Sequence, residues 1–156
     1  MNQQESLRAK LEILWWVVTF IILGAVLFPS LSKIGEYRFL IPNVVFIIVS
    51  ITFTRYLFQL THTFLGRRQK LKALVMLMSL PLIAYIVQSL HNFQTYIDEN
   101  GMGGLLSQIP FEDQDSLGTF IQTEYIFFGV GALMAIIVLF FRLVISIWRF
   151  RNKGTI

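Results

Sequence analysis

The chain has 156 residues, of which 55% are hydrophobic, 15% aromatic and only 14% charged. Soluble domains carry about 25% charged residues, so this composition excludes a soluble enzyme and a disordered protein, and the length suits a single domain. The absence of cysteine from the sequence excludes disulfides, thiolate metal sites and cysteine catalysis. The formal net charge is +4, and its distribution along the chain favours a membrane over nucleic acid as the partner.

Four apolar stretches approach the roughly 20 residues that a helix needs to cross a bilayer. They cover about residues 13–31, 39–65, 73–90 and 120–147. The first is too long for a signal peptide and precedes no small-residue cleavage site, so we interpret it as a retained helix. Long apolar runs without alternation predict helices rather than a barrel. We therefore predict an all-α integral membrane protein: one domain over residues 1–156, folded as an antiparallel bundle of four transmembrane helices in which spans one, two and three are neighbours.

The segments between the spans alternate in charge, and this alternation predicts the orientation. One side carries ten basic and two acidic residues: Arg8, Lys10, Arg67, Arg68, Lys70, Lys72, Arg142, Arg149, Arg151 and Lys153, with Glu5 and Glu12. The other side carries two basic and seven acidic residues: Lys33 and Arg38, with Glu36, Asp98, Glu99, Glu112, Asp113, Asp115 and Glu124. By the positive-inside rule both termini face the cytoplasm (N-in/C-in), and we expect a multi-pass protein of the bacterial inner membrane. The basic segment 66–72 is expected to contact anionic lipid headgroups.

The only long aqueous segment, residues 92–119, is predicted to be an acidic outer loop. Its glycines and Pro110 are typical of irregular structure. We expect either a cap over the bundle or a docking surface for a partner, and favour the cap. Leu105, Leu106, Ile109 and Phe111 are expected to rest on the membrane surface.

Part of this segment matches a calcium-binding loop. Asp113, Asp115, Gly118 and Glu124 fall at positions one, three, six and twelve of that motif. Leu117 occupies position five, where the motif requires an oxygen ligand, so we favour an acidic turn that leads into a helix over a calcium site.

Arg55 is the only charge deep inside a predicted span, about ten residues from the end of span two at position 65. An ionisable residue at such a depth is a functional candidate. Thr52, Gln59 and His62 share its helix face, and Tyr85 and Gln88 offer polar groups on span three. Because no acidic residue is predicted at this depth, we expect Arg55 to face protein and to find its partner at least partly on another chain. The stripe indicates interhelical hydrogen bonds or, as the less favoured alternative, an ion or proton path.

A second candidate surface lies on span four, where small residues allow close helix approach. It comprises Gly129, Gly131, Ala132 and Ala135. Packing within the chain and contact with another protein are equally compatible with it. His62 and His91 are predicted at opposite faces of the membrane, so one chain cannot use both as ligands to a haem. No cofactor is expected.

The sequence contains no nucleophile motif and no phosphate-binding glycine loop. Nucleic-acid binding is not expected, since no cytoplasmic domain is predicted. Our leading hypothesis is a non-enzymatic accessory or scaffolding subunit of a larger membrane complex, with the lipid bilayer and other membrane subunits as partners. The alternative is a small homo-oligomeric channel or transporter that uses the polar face of span two. A membrane-embedded enzyme or haem carrier is the third possibility.

Overall fold

The computed structural model describes residues 3–60, 63, 65 and 68–152. The regular structure in these ranges is helical and is dominated by four long helices. They are α1 (Gln3–Lys33), α2 (Leu40–Gln59), α3 (Gln69–Leu105) and α4 (Phe111–Arg151). Each contains a segment long and apolar enough to cross a membrane. The predicted fold class, a bundle of four potential membrane-spanning helices, is confirmed.

Side-chain contacts fix the direction of the helices. Asn43 meets Glu124 and Arg142 reaches the Leu57 carbonyl, so α2 and α4 run parallel. Lys72, near the start of α3, contacts Ser146, near the end of α4, whereas Ser89, further along α3, contacts Tyr125, nearer the start of α4. α3 therefore runs antiparallel to α4. We name the end of the bundle that holds Leu57 and Lys72 the proximal end, and the end that holds Asn43 and Glu124 the distal end.

The packing order differs from the expected one. The most extensive helix interface joins α2 to α4, and α3 packs mainly on α4. We predicted that α2 and α3 are neighbours because their connection is short, but they touch at few points. Gly129 of α4 lies against Phe46 of α2 and Leu90 of α3. Because glycine has no side chain, α4 can approach both helices closely and separate them. α4 thus lies between the other two helices, while α1 lies at the side of the bundle.

The apolar core has a large distal part and a small proximal part. The distal part surrounds Tyr125, and its fully buried members include Phe46, Ile86 and Ile121. The proximal part is built on Leu60, Leu65, Leu139 and Leu143.

α2 is shorter than the predicted second span. It ends at Gln59 rather than at position 65. Beyond it, the Thr63 hydroxyl donates a hydrogen bond to the Leu60 carbonyl at 2.9 Å and closes a turn. Arg55 therefore lies about one helical turn, rather than ten residues, from the end of its helix.

The predicted outer loop is largely helical, which corrects that expectation. α3 continues to Leu105 and α4 begins at Phe111, so residues 92–124 form a helical hairpin that we name the head. Gly101 interrupts α3 with φ 67° and ψ 172°, a conformation that is essentially restricted to glycine.

The apolar residues of the head mostly turn inward. Leu105, Leu106 and Ile109 are buried in the distal core instead of resting on the membrane surface, whereas Phe111 is 82% exposed. Burial of this face explains why a segment with four glycines and a proline folds as helices.

The calcium-loop motif lies on the same hairpin. Asp113, Asp115, Gly118 and Glu124 all belong to the uninterrupted helix α4. That motif needs an irregular loop that wraps around the ion, and a helix does not bring its first and twelfth residues together.

Candidate functional site

Arg55 lies in a polar site at the proximal end, between α1 and α2. Its side chain is 6% exposed, and Nη1 lies 2.8 Å from Oε2 of Glu12 on α1. The guanidinium also lies over the rings of Trp15 and Tyr56, at 5.6 and 5.5 Å from their centroids. We name these four residues the clasp, because they join the proximal part of α1 to α2.

The clasp corrects the expectation that no acidic residue of this chain reaches Arg55. Glu12 was predicted to lie outside the membrane, ahead of a span that starts at residue 13. The structure extends α1 back to Gln3 and ends α2 at Gln59, so the two side chains lie at the same level. A partner from another chain is therefore not needed to neutralise Arg55.

The other residues of the predicted polar stripe do not join the clasp. Thr52 and Gln59 are half-buried on α2, while His62 lies outside the described residues. Tyr85 and Gln88 are exposed near the middle of α3, close to Ser89, which contacts Tyr125 at the distal end of the bundle. Because α3 runs antiparallel to α2, these two side chains are far from Arg55, and the expected contact with them is wrong.

A second polar site, at the distal end, was not predicted. Glu124 of α4 is only 7% exposed. Its Oε1 accepts a hydrogen bond from Nδ2 of Asn43 at 2.5 Å, and the same amide donates to the Tyr37 hydroxyl at 3.2 Å. The second carboxyl oxygen, Oε2, and the Asn43 carbonyl oxygen are buried and have no hydrogen-bond partner among the described residues. Burial, and secondly the nearby Glu124 carboxyl, raises the pKa of the Tyr37 phenol, so this hydroxyl keeps its proton.

Aromatic rings form the wall of this distal site. Tyr125 is fully buried and stacks on Phe93 with a centroid distance of 4.2 Å, while Phe46 lies at 4.9 Å. The Tyr125 hydroxyl donates to the Ser89 carbonyl at 3.3 Å. The hydroxyl is thus satisfied inside an apolar environment, and the contact fixes the level of α3 relative to α4.

The two polar sites are separated by apolar side chains. Phe46, Ile47, Ile86 and Ile136 are each fully buried between them. The clasp joins α1 to α2 through the Glu12–Arg55 ion pair. The distal site joins α2 to α4 through the Asn43–Glu124 hydrogen bond.

A sequence signal for the distal site did exist. Asn43 is a lone amide within an apolar run, and Phe39, Asn43 and Phe46 recur at helical spacing. A buried amide requires a hydrogen-bond partner, and Glu124 is the first acidic residue before the charge-free part of α4. Sequence alone does not show that α2 and α4 are neighbours, which is the information needed to pair them.

A polar groove opens at the distal end between α2 and α3. Its volume is about 690 Å³. Gln88, Asn92 and Glu99 line it from α3, and Arg38 lines it from the connection before α2. The Arg38 guanidinium lies 5.4 Å from the centroid of the Tyr96 ring.

The small-residue face of α4 is used within the chain. Ala132 and Ala135 are buried, and Gly129 lies in the three-helix contact already described. A Cβ atom on Gly131 would lie 3.0 Å from the Ser50 hydroxyl of α2. These residues are therefore covered by α2 and α3 rather than free for another protein.

Comparison with protein-family models, with curated proteins and with solved structures gives no match to this chain.

Proposed function

We propose that this protein is a non-enzymatic accessory or scaffolding subunit of a larger complex in a bacterial inner membrane, and that the head is its docking surface. The observation that carries this proposal is the head itself. It extends α3 and α4 beyond the charge-free part of α4, residues 125–141, which is about 25 Å long. That length nearly matches the hydrocarbon core of about 30 Å, so the head projects into the aqueous phase.

The head combines a rigid interior with a charged exterior. Phe93, Leu106 and Ile121 are buried inside it, while the acidic side chains of Asp98, Glu99, Glu112 and Asp115 are exposed. A preorganised surface of one charge favours association with a basic partner, because little ordering is required on binding.

The orientation belongs to the same proposal. The described basic residues outside the spans concentrate at the proximal end, at Lys10, Arg68, Lys70, Arg149 and Arg151. The positive-inside rule then places the proximal end in the cytoplasm and the acidic head on the outer side.

The alternative function, a homo-oligomeric channel or transporter, was motivated by the Arg55 stripe. Arg55 is paired with Glu12 of the same chain, and fully buried apolar side chains fill the interior above it. A path for ions would have to run between subunits instead of through this bundle.

The test is purification of the full chain from membranes in a mild detergent, followed by mass analysis. We expect the same set of different partner chains in repeated preparations. The triple variant Asp98→Asn, Glu112→Gln, Asp115→Asn should lose these partners, since it removes three exposed charges from the head.

A matched control is the triple variant Gln94→Ala, Thr119→Ala, Gln122→Ala, which changes exposed neutral residues of the same head and should retain the partners. Recovery of a pure homo-oligomer would reject the scaffolding proposal in favour of a channel. Equal partner yields from both triple variants would reject the head as the docking surface.

A further inference from the structure

The polar groove at the distal end contains charged and amide side chains that can bind a ligand. Arg38 and Glu99 form no ion pair within the described part of the chain, and both are exposed. Gln88 and Asn92 hydrogen-bond each other at 2.8 Å through Nε2 and Oδ1. This contact leaves the Gln88 carbonyl oxygen and the Asn92 amide protons available to a ligand.

The groove lies where the membrane surface should be. The Tyr125 hydroxyl binds the Ser89 carbonyl, and Tyr125 begins the charge-free part of α4. Ser89, which also lines the groove, is therefore near the boundary of the hydrocarbon layer. Gln88 and Asn92 lie close to this boundary, and Tyr96 and Glu99 lie further out along α3, on the aqueous side.

The chemistry of the groove changes in order along its length. At the membrane end, the groove begins beside Ser89. The amides of Gln88 and Asn92 come next, and Glu99 lies about two turns of α3 beyond Asn92. The Arg38 guanidinium lies over the ring of Tyr96, one turn before Glu99.

We propose that this groove binds a phospholipid whose headgroup carries a phosphate and a primary amine, such as phosphatidylethanolamine. The acyl chains extend from the membrane end of the groove into the hydrocarbon layer, and the amides meet the glycerol esters. Arg38, held over Tyr96, binds the phosphate, for which a guanidinium is geometrically suited. Glu99 binds the ammonium group. The groove overlaps the base of the head, but none of the three residues changed in the docking test lines it, and lipid binding does not depend on which face of the membrane the head occupies.

The test uses native mass spectrometry of the full chain in detergent. Phosphatidylethanolamine and phosphatidylglycerol with identical acyl chains are added separately, and the fraction of protein with bound lipid is measured. We expect tighter binding of phosphatidylethanolamine. Arg38→Gln should weaken binding of both lipids, whereas Glu99→Gln should weaken phosphatidylethanolamine alone, each by about tenfold, as expected for one lost charge-assisted hydrogen bond.

Two exposed residues provide matched controls. Glu112→Gln removes a head carboxylate outside the groove, and Arg149→Gln removes a basic residue at the proximal end. Both should bind phosphatidylethanolamine as the unmodified protein does. Because Arg38 and Glu99 are exposed, their variants are expected to keep the helical content, which circular dichroism checks.

Three results would overturn the inference. Equal binding of the two lipids would reject the role of the amine, and unchanged binding by Arg38→Gln would reject the groove. Displacement of the lipid by tail-free glycerophosphoethanolamine at the same concentration would show that the ligand is a soluble phosphate ester rather than a membrane lipid.

Discussion

At the scale of single residues, Arg55 and Glu12 attach one end of α1. This helix has few buried contacts elsewhere; among them are Thr19 and Leu27, which are 3% and 4% exposed. Both partners of the ion pair are largely buried, with side-chain exposures of 6% and 15%. Within the part of the chain that the structure describes, the Arg55 Nε atom has no hydrogen-bond partner, so the charge of Arg55 depends strongly on Glu12.

This dependence predicts that substituting one residue of the pair destabilises the protein more than substituting both. Glu12→Leu or Arg55→Leu alone should lower the free energy of unfolding by about 3 kcal/mol, because each leaves a buried charge without its partner. The double variant should recover most of that loss. The measurement is denaturant unfolding of the full chain in detergent.

Lys10→Gln, on the exposed side of α1, serves as the control and should change the free energy of unfolding little. Additive losses in the double variant would mean that the two residues are not coupled. Arg55 and Glu12 would then be adjacent without stabilising each other.

At the scale of the helices, hydropathy predicted which segments are helical but not where they end. Hydropathy detects the apolar part of a helix and not the helix itself. It therefore predicted that span three ends at residue 90, whereas α3 ends at Leu105, and that span two ends at residue 65, whereas α2 ends at Gln59. The head was missed for the same reason, although Phe93 and Ile97, like Leu117 and Ile121, recur at the four-residue spacing of an amphipathic helix. The error in the depth of Arg55 follows from the misplaced end of α2.

The packing of α2, α3 and α4 predicts a strong effect at Gly129. A Cβ atom there would lie 2.7 Å from Cδ2 of Leu90 and 2.9 Å from Cε2 of Phe46. Gly129→Leu should therefore lower the free energy of unfolding by about 1–3 kcal/mol through overpacking. Thermal or denaturant unfolding in detergent measures the loss.

Gly24 on α1 offers the matched control, since a Cβ atom on it would meet nothing within 4 Å. Gly24→Leu should be tolerated on this exposed, apolar side of the helix. Equal losses from the two substitutions would show that glycine is not required at the contact between α2, α3 and α4.

At the scale of the whole molecule, charge is distributed unequally between the two ends. The sequence predicted this distribution well, because it depends only on the order of spans and loops. It did not reveal the pairing of Asn43 with Glu124 or the position of Arg38 over Tyr96. Those contacts depend on which helices are neighbours, and the most extensive interface joins α2 to α4, which are not consecutive in the chain.

The proposed orientation places the head on the outer side of the membrane and the proximal end in the cytoplasm. The chain contains no cysteine, so single cysteines provide clean reporters. Asp115→Cys reports on the head and Lys10→Cys on the proximal end, and both positions are exposed. In intact cells, a membrane-impermeant maleimide should label position 115, and position 10 only after permeabilisation. Labelling of position 10 in intact cells, with position 115 protected until permeabilisation, would contradict the orientation and with it the outer docking surface.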